Sequence, residues 1–224
     1  MIDQLIIGQK ASFDDFGASV ATRKIFAPPK KEIKETVPFS NVTYDFSAIN
    51  GEVFWGEREL QYSCEIIAST PEDLERKKTA FSAWVMNVVS EYLIDPFDPD
   101  YHYVATYKEI DYADEESVEK TTATVKFTAY PYKIANRPKV YDFKIPANSE
   151  ITATVLNDSS HKIAPTITTD AGITLRLDGV SYSVPAGETK DDAFKIGAGV
   201  NTLTIINNAA TECLLTVMFY EEVF

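Results

Sequence analysis

Leu60, Tyr62, Cys64 and Ile66 alternate with Glu59, Gln61, Ser63 and Glu65, the period of a strand with one dry face and one wet face. Residues 121–129 repeat the pattern, with Ala123, Val125, Phe127 and Ala129 on one side. Upstream, Tyr44 and Phe46 lead to Asn50-Gly51, a dipeptide suited to a type I′ turn, and then to Val53 and Trp55. A long β-hairpin over about residues 36 to 66 is the expectation. A lone hairpin is marginal in water, so this one needs a sheet or a neighbouring molecule to lie against.

One long helix is expected. Leu74, Phe81, Val85, Val88 and Tyr92 recur at helical spacings and line one face. Thr70 can cap the start, Pro71 occupies the first turn where its missing N–H is harmless, and Glu72 and Asp73 set negative charge at the positive end of the dipole. The helix is placed at about 71 to 90, ending before Pro96.

Pro131 and Pro138 bracket a segment that ends the strand pattern, and composition then shifts toward Thr, Ala, Gly and Asn. Two domains follow, 1–135 and 136–224. Short strands are expected at 151–156, 163–169, 173–177, 180–184, 201–206 and 213–221, with Asp178-Gly179 as a tight hairpin turn. Regular short strands separated by turn signals argue for a β-sandwich. No internal repeat is evident. The fold class is mainly β with one α-helix: an N-terminal β-sandwich-like domain carrying the helix and the long hairpin, and a C-terminal β-sandwich.

The chain has 224 residues, with 13 Phe and 12 Tyr among 45% hydrophobic residues, which excludes disorder as its dominant state. The longest near-continuous apolar run, residues 213–220, is far short of a membrane-spanning helix. The N-terminus lacks a basic segment followed by a long apolar stretch, so no secretory signal is expected and synthesis is placed in the cytosol. A formal net charge of -13, with neither half basic, opposes sequence-specific nucleic-acid binding. Cys64 and Cys213 lie in strand-like sequence and are expected as buried reduced thiols.

Little in the chain carries chemistry. His102 and His161 stand beside no cysteine and offer no metal-ligand spacing. There is no G-x-S-x-G elbow, P-loop or dinucleotide fingerprint. Asp95, Asp98 and Asp100 fall within six residues, but the intervening prolines and the missing calcium-loop spacing read as a rigid turn. Asp111, Asp114, Glu115, Glu116 and Glu119 read as a solvated hairpin tip. No catalytic, metal or cofactor site is expected. Carbohydrate binding by the C-terminal domain is the alternative function. It would draw on Tyr182, Phe194 and Tyr220, since Trp55 and Trp84 lie in the other half.

Residues 12–17 (SFDDFG), 37–39 (VPF), 43–47 (TYDFS) and 57–62 (ERELQY), followed by the helix, the acidic turn before Tyr101-His102-Tyr103 and a closing strand over 125–132, resemble the N-terminal domain of the distal tail protein (Dit) family of phages with long non-contractile tails. The resemblance covers residues 1 to 133 in order. The C-terminal half resembles that family in architecture, as a galectin-like β-sandwich. It implies a structural virion protein at the tail tip, in a phage or prophage. The protein would form a hexameric ring, a baseplate hub joining the tail tube protein to the tail-associated and tail-fibre proteins, with DNA passing through the channel. On the residues themselves, Phe39, Tyr44, Phe46, Phe54 and Trp55 make the hairpin more apolar than a free ribbon should be, and are the candidate oligomer interface.

Overall fold

The computed structural model describes residues 3–36, 38–39, 41–47, 53–113 and 117–224. The chain divides into two compact units, Met1–Lys133 and Ile134–Phe224.

Unit 1 contains β1 (Ile6–Ile7), β2 (Lys10–Ala11), α1 (Ser12–Phe16), β3 (Ala18–Ile25), β4 (Lys34–Thr36), β5 (Thr43–Asp45), β6 (Arg58–Ile67), α2 (Pro71–Met86), β7 (Glu91–Ile94), β8 (Tyr101–Tyr112) and β9 (Lys120–Ala129). These strands, apart from β4 and β5, follow the order β2-β1-β7-β8-β9-β6-β3 along a nine-stranded sheet. The alternation read from the sequence sets its faces. Leu60, Tyr62, Cys64 and Ile66 of β6 join Ala123, Val125, Phe127 and Ala129 of β9 in a core covered by Leu74, Phe81 and Val85 of α2. The wet face is laced with Thr and Lys–Glu pairs such as Lys126–Glu109 and Lys120–Glu65.

Helix α2 starts as expected, with the Thr70 side chain accepting from the Asp73 N–H at 3.2 Å. It stops at Met86, four residues short of the expected end. Ser90 takes φ 53°, and the chain turns into β7, where Leu93 is fully buried and Tyr92 pairs with Val104. Tyr92 is therefore a strand residue, exposed to solvent. The apolar spacing continues through Val88, but sheet pairing with β8 overrides it.

The predicted hairpin also has a different register. Residues 58–67 belong to β6 in the sheet interior, between β3 and β9. The protruding ribbon is instead made by β4 and β5, paired Lys34↔Asp45, Glu35↔Tyr44 and Thr36↔Thr43. Asn50 and Gly51, the expected turn, lie outside the described residues.

Strand β10 (Lys133–Ala135) spans the division between the units. Unit 2 continues with β11 (Lys139–Ile145), β12 (Ser149–Asn157), β13 (Thr166–Thr169), β14 (Ile173–Leu177), β15 (Val180–Val184), β16 (Gly187–Lys190), β17 (Gly199–Asn207), β18 (Cys213–Phe219) and β19 (Glu222–Val223). Two four-stranded sheets, β11-β18-β13-β16 and β12-β17-β14-β15, enclose a core that includes Val155, Ile167, Leu175, Leu203, Ile205 and Val217. The turn at Asp178-Gly179 has φ of 51° and 79°, the double positive φ that a type I′ hairpin requires.

Contrary to the sequence reading, unit 2 contains a repeat. Residues 152–157 (TATVLN) correspond to 202–207 (TLTIIN). In each copy a long strand of one sheet leads to a strand of the other, β12 to β13 and β17 to β18. The two copies pair with each other across a local two-fold axis. Ala153 faces its counterpart Leu203 in one sheet, and Ile167 faces its counterpart Val217 in the other.

Candidate functional site

The feature of unit 1 that its own core does not explain is the ribbon, an arm leaving the sheet after β3 and returning into β6. At its root the Lys31 N–H donates to the Phe54 carbonyl at 2.8 Å and the Gly56 N–H to the Pro29 carbonyl at 2.7 Å. A Cβ on Gly56 would sit 3.2 Å from the Pro29 ring, so the close approach favours glycine. Further out, the Phe46 N–H donates to the Ile33 carbonyl at 2.8 Å, and the Ile33 N–H donates to the buried Ser47 hydroxyl at 2.9 Å. Ser47 in turn donates its N–H to Asp45 at 2.8 Å. Those bonds fix the arm's register without any hydrophobic layer.

Directly opposed residues of an antiparallel pair share a face. Ile33, Glu35, Tyr44 and Phe46 therefore lie on one side of the ribbon, and Lys34, Thr36, Thr43 and Asp45 on the other. The first side is largely apolar, with the Tyr44 and Phe46 rings 6.3 Å apart and inclined by 22°. Nothing within the described residues of unit 1 buries it. Tyr44 is 52% exposed, Phe46 44% and Phe54 49%, while Phe39, at the far end with φ 64°, is fully exposed. Trp55 differs: it is half-buried at the root, lining a cleft of about 340 Å³ with Lys31, Glu57, Val104, Thr128 and Tyr130. Ile33 and Val42 are equally exposed arm residues that the sequence reading did not name, and Val53, named there only as part of the hairpin, is exposed as well. Their signal was present, since Ile33 and Val42 interrupt polar neighbours, but single aliphatic residues carry less weight than aromatic ones.

The arm's root is anchored by charge as well as by backbone bonds. Arg58 is buried, donates from Nε to the Phe26 carbonyl at 3.1 Å and lies 5.5 Å over the Tyr103 ring. Burial depresses its pKa, an effect that the neighbouring Tyr103 and Tyr62 partly oppose. Lys24 covers the Phe26 ring at 4.5 Å.

The acidic stretch after β7 is a structural turn. Asp95 is 1% exposed and accepts from Arg23, from the Tyr62 hydroxyl at 3.3 Å and from the Phe97 N–H at 2.9 Å. Asp98 pairs with Lys133 at 2.5 Å. Asp95 and Asp98 are drawn to separate cations, and no group of three His, Cys, Asp or Glu able to hold a metal occurs among the described residues. His102 is buried with the Tyr92 ring 4.3 Å away, and His161 faces Glu222 at 3.2 Å. Both cysteines are free and buried. Of the residues named for sugar stacking, Phe194 is core and holds Tyr182 edge-on at 4.9 Å, leaving Tyr220 exposed.

No family model matches the chain. No curated protein matches it either. Among solved structures it is similar to the Dit protein (gp 19.1) of phage SPP1, described as a paradigm of the hub adsorption apparatus in phages infecting Gram-positive bacteria. The TM-score is 0.69 at 14% identity, over 98% of this chain and 99% of that one. The baseplate of phage P2, in its activated conformation with Ca, matches at a TM-score of 0.36 and 7% identity, over 97% and 98% of the two chains. The first likeness spans both units and shows a mainly β, Dit-like fold.

Proposed function

We propose that this chain is a structural protein of a phage tail tip, a baseplate hub adaptor that acts by assembly and not by catalysis. Copies of the chain close into a ring, six in the reading the family resemblance supplies. The ring joins the tail tube protein to the tail-associated and tail-fibre proteins, and DNA passes through its channel. The Dit-like fold supports the setting. The observation that carries the assembly reading is the arm, whose apolar face exposes Ile33, Tyr44 and Phe46 and which exposes Phe39 and Phe54 as well, on a ribbon that has no core of its own. Covering the fully exposed Phe39 is worth about 1.5–3 kcal/mol, and covering each of the half-exposed others about half that. Head-to-tail contacts of this kind leave no open end when they close. The interface is assigned to Phe39, Tyr44, Phe46 and Phe54, with Trp55 supporting it from the root. The acidic surface suits a DNA conduit, because bound phosphates would retard passage.

Light scattering coupled to size-exclusion chromatography, together with negative-stain microscopy, tests the reading. The expected result is a closed ring several times the monomer mass. A strict monomer at high concentration, also in the presence of tail tube and tail-tip partners, overturns it.

A further inference from the structure

The repeat in unit 2 exposes an asymmetry. Strand β17 is paired on both sides, with β12 on one and β14 on the other. Its counterpart β12 is paired on one side only, with β17. The two-fold relation places the missing neighbour: β14 pairs with Thr204, Ile205 and Ile206, whose counterparts are Thr154, Val155 and Leu156. At Leu156 the Tyr141 side chain stands where a strand would be. Its hydroxyl accepts from the Leu156 N–H at 3.1 Å and donates to the Leu156 carbonyl at 3.0 Å. That contact shows which groups face outward. Residues 150, 152 and 154 share the orientation of 156, so Glu150, Thr152 and Thr154 turn their backbone N–H and C=O groups away from β17 with no partner strand among the described residues.

A second observation concerns the mouth of the sandwich at this edge. Tyr141, Phe143 and Ile151 pack against the core but remain half-buried, with the Tyr141 and Phe143 rings 6.5 Å apart and inclined by 7°. At the other end of the same sheet, Tyr182 of β15 meets the core residue Phe194 edge-on. The edge of β12 thus combines unpaired backbone with uncovered apolar side chains, the two groups that an added strand satisfies together.

We infer that the outer edge of β12, from Glu150 to Leu156, is a docking site for an extended segment of another protein chain, which adds to the sheet antiparallel to β12 as β14 adds to β17. The guest alternates in character. Apolar residues turn inward over Ile151 and Phe143, as Leu175 does in β14, and polar residues turn outward, with a Lys or Arg suited to the place opposite Glu150. The Tyr141 hydroxyl caps one end of the site and is displaced by a guest that pairs as far as Leu156. The site lies in unit 2 and uses no residue of the arm.

The test uses the full chain and a synthetic peptide with the sequence of residues 172–178 (GITLRLD), read by amide shifts in NMR titration. Saturable shifts at Thr152 and Thr154 are expected. The Thr154→Pro variant removes an outward N–H that the β12–β17 ladder does not use, which an edge strand tolerates. It should keep the native spectrum and bind at least about tenfold more weakly, the loss expected for one to two hydrogen bonds. Should Thr154→Pro not fold, Thr152→Pro serves the same purpose. Tyr141→Phe, which uncovers Leu156, should bind more tightly. No shift on the parent chain, or undiminished binding to the proline variant, overturns the inference. So does self-association that the proline variant abolishes, because the edge would then serve copies of this chain.

Discussion

Asn157 and Asn207 occupy equivalent places in the two copies of the unit 2 repeat and make the same hydrogen bonds. The Asn157 amide donates to the carbonyls of His161, Ile196 and Gly197 at 3.1–3.2 Å, and the Asn207 amide to those of Thr211, Ile145 and Pro146 at 2.9–3.2 Å. Each side-chain oxygen accepts the N–H two residues on, that of Ser159 at 3.0 Å and that of Ala209 at 2.9 Å. Both side chains are wholly buried. Each one closes the turn that carries the chain from one sheet to the other.

Replacing either Asn by Ala leaves several buried polar groups unpaired. The cost is about 1–3 kcal/mol for each group that water cannot reach, so a loss of about 2–4 kcal/mol is expected for each variant. The two losses should be similar, because the networks are. Far-UV circular dichroism in urea measures them. Tryptophan fluorescence will not serve for unit 2, because Trp55 and Trp84 both lie in unit 1. A twofold or greater disparity between the two variants would contradict the equivalence.

What could be read in the chain, and what could not, follows from the range of the interactions. The start of α2 is legible because Thr70, Pro71 and Asp73 act on neighbours within one turn. The strands β6 and β9 are legible because one face is buried along their whole length. The repeat was missed because only Thr152, Thr154, Asn157 and Thr166 keep their identity fifty residues later, while the conserved quantity is a hydrogen-bond pattern. The arm's aromatic residues were legible as a group. Their turn was not, because the ribbon register is held by Ser47 and by bonds across to Pro29 and Lys31. Asp95 read as one acid among several, and its partner Arg23 lies 72 residues away.

The pair of Arg23 and Asp95 ties the edge strand β3 to the turn after β7. Burial works against the Arg23 charge, but the hydrogen bond and charge of Asp95 outweigh it and raise its pKa. Arg23 also lies 4.9 Å over the Phe97 ring. Arg23→Ala strands a carboxylate in a fully buried position and should cost about 3–5 kcal/mol. Asp95→Asn should cost less, because the amide still serves Tyr62 and Phe97 and Arg23 retains contact with solvent. Urea midpoints followed by tryptophan fluorescence rank the two, and the reverse order would contradict the assignment of Asp95 as the buried partner.

Alkaline pH should weaken unit 1. Burial pushes the Cys64 thiol up to about 12. Burial likewise raises the Tyr62 hydroxyl well above its ordinary value, helped by Asp95, and raises that of Tyr103. Each group holds its proton more tightly folded than unfolded, so its contribution is complete below the unfolded pKa, about 8.5 for Cys and about 10 for Tyr. That contribution is lost as pH rises from those values toward the folded ones. Stability should therefore fall above about pH 9, and Cys64→Ala should flatten the part of the fall between pH 9 and 12. In the native protein at pH 8, Ellman's reagent should find Cys64 unreactive until denaturant is added. Prompt labelling without denaturant would show the thiol to be reachable.

The two faces of the arm make opposite predictions for assembly. Ile33 and Phe46 are cross-strand neighbours on the apolar face, with Tyr44 beside them. Lys34 and Asp45 are paired across the ribbon on the polar face. If a second copy covers the apolar face, Ile33→Ser combined with Phe46→Ser removes about 1.5–3 kcal/mol of burial per contact, since each side chain is already about half covered within one copy. A ring made of repeated contacts should then dissociate to monomer at micromolar concentration. Lys34→Ala combined with Thr43→Ala removes exposed polar side chains of that face, and with them the surface ion pair of Lys34 with Glu32, which solvent screens, and the assembly should persist. Both double variants keep the arm's backbone bonds and leave the unit 1 core untouched, so their unfolding midpoints should match the parent. Sedimentation velocity distinguishes the outcomes. Equal effects from the two faces would mean that the ribbon's exposed aromatic residues are not what holds copies together.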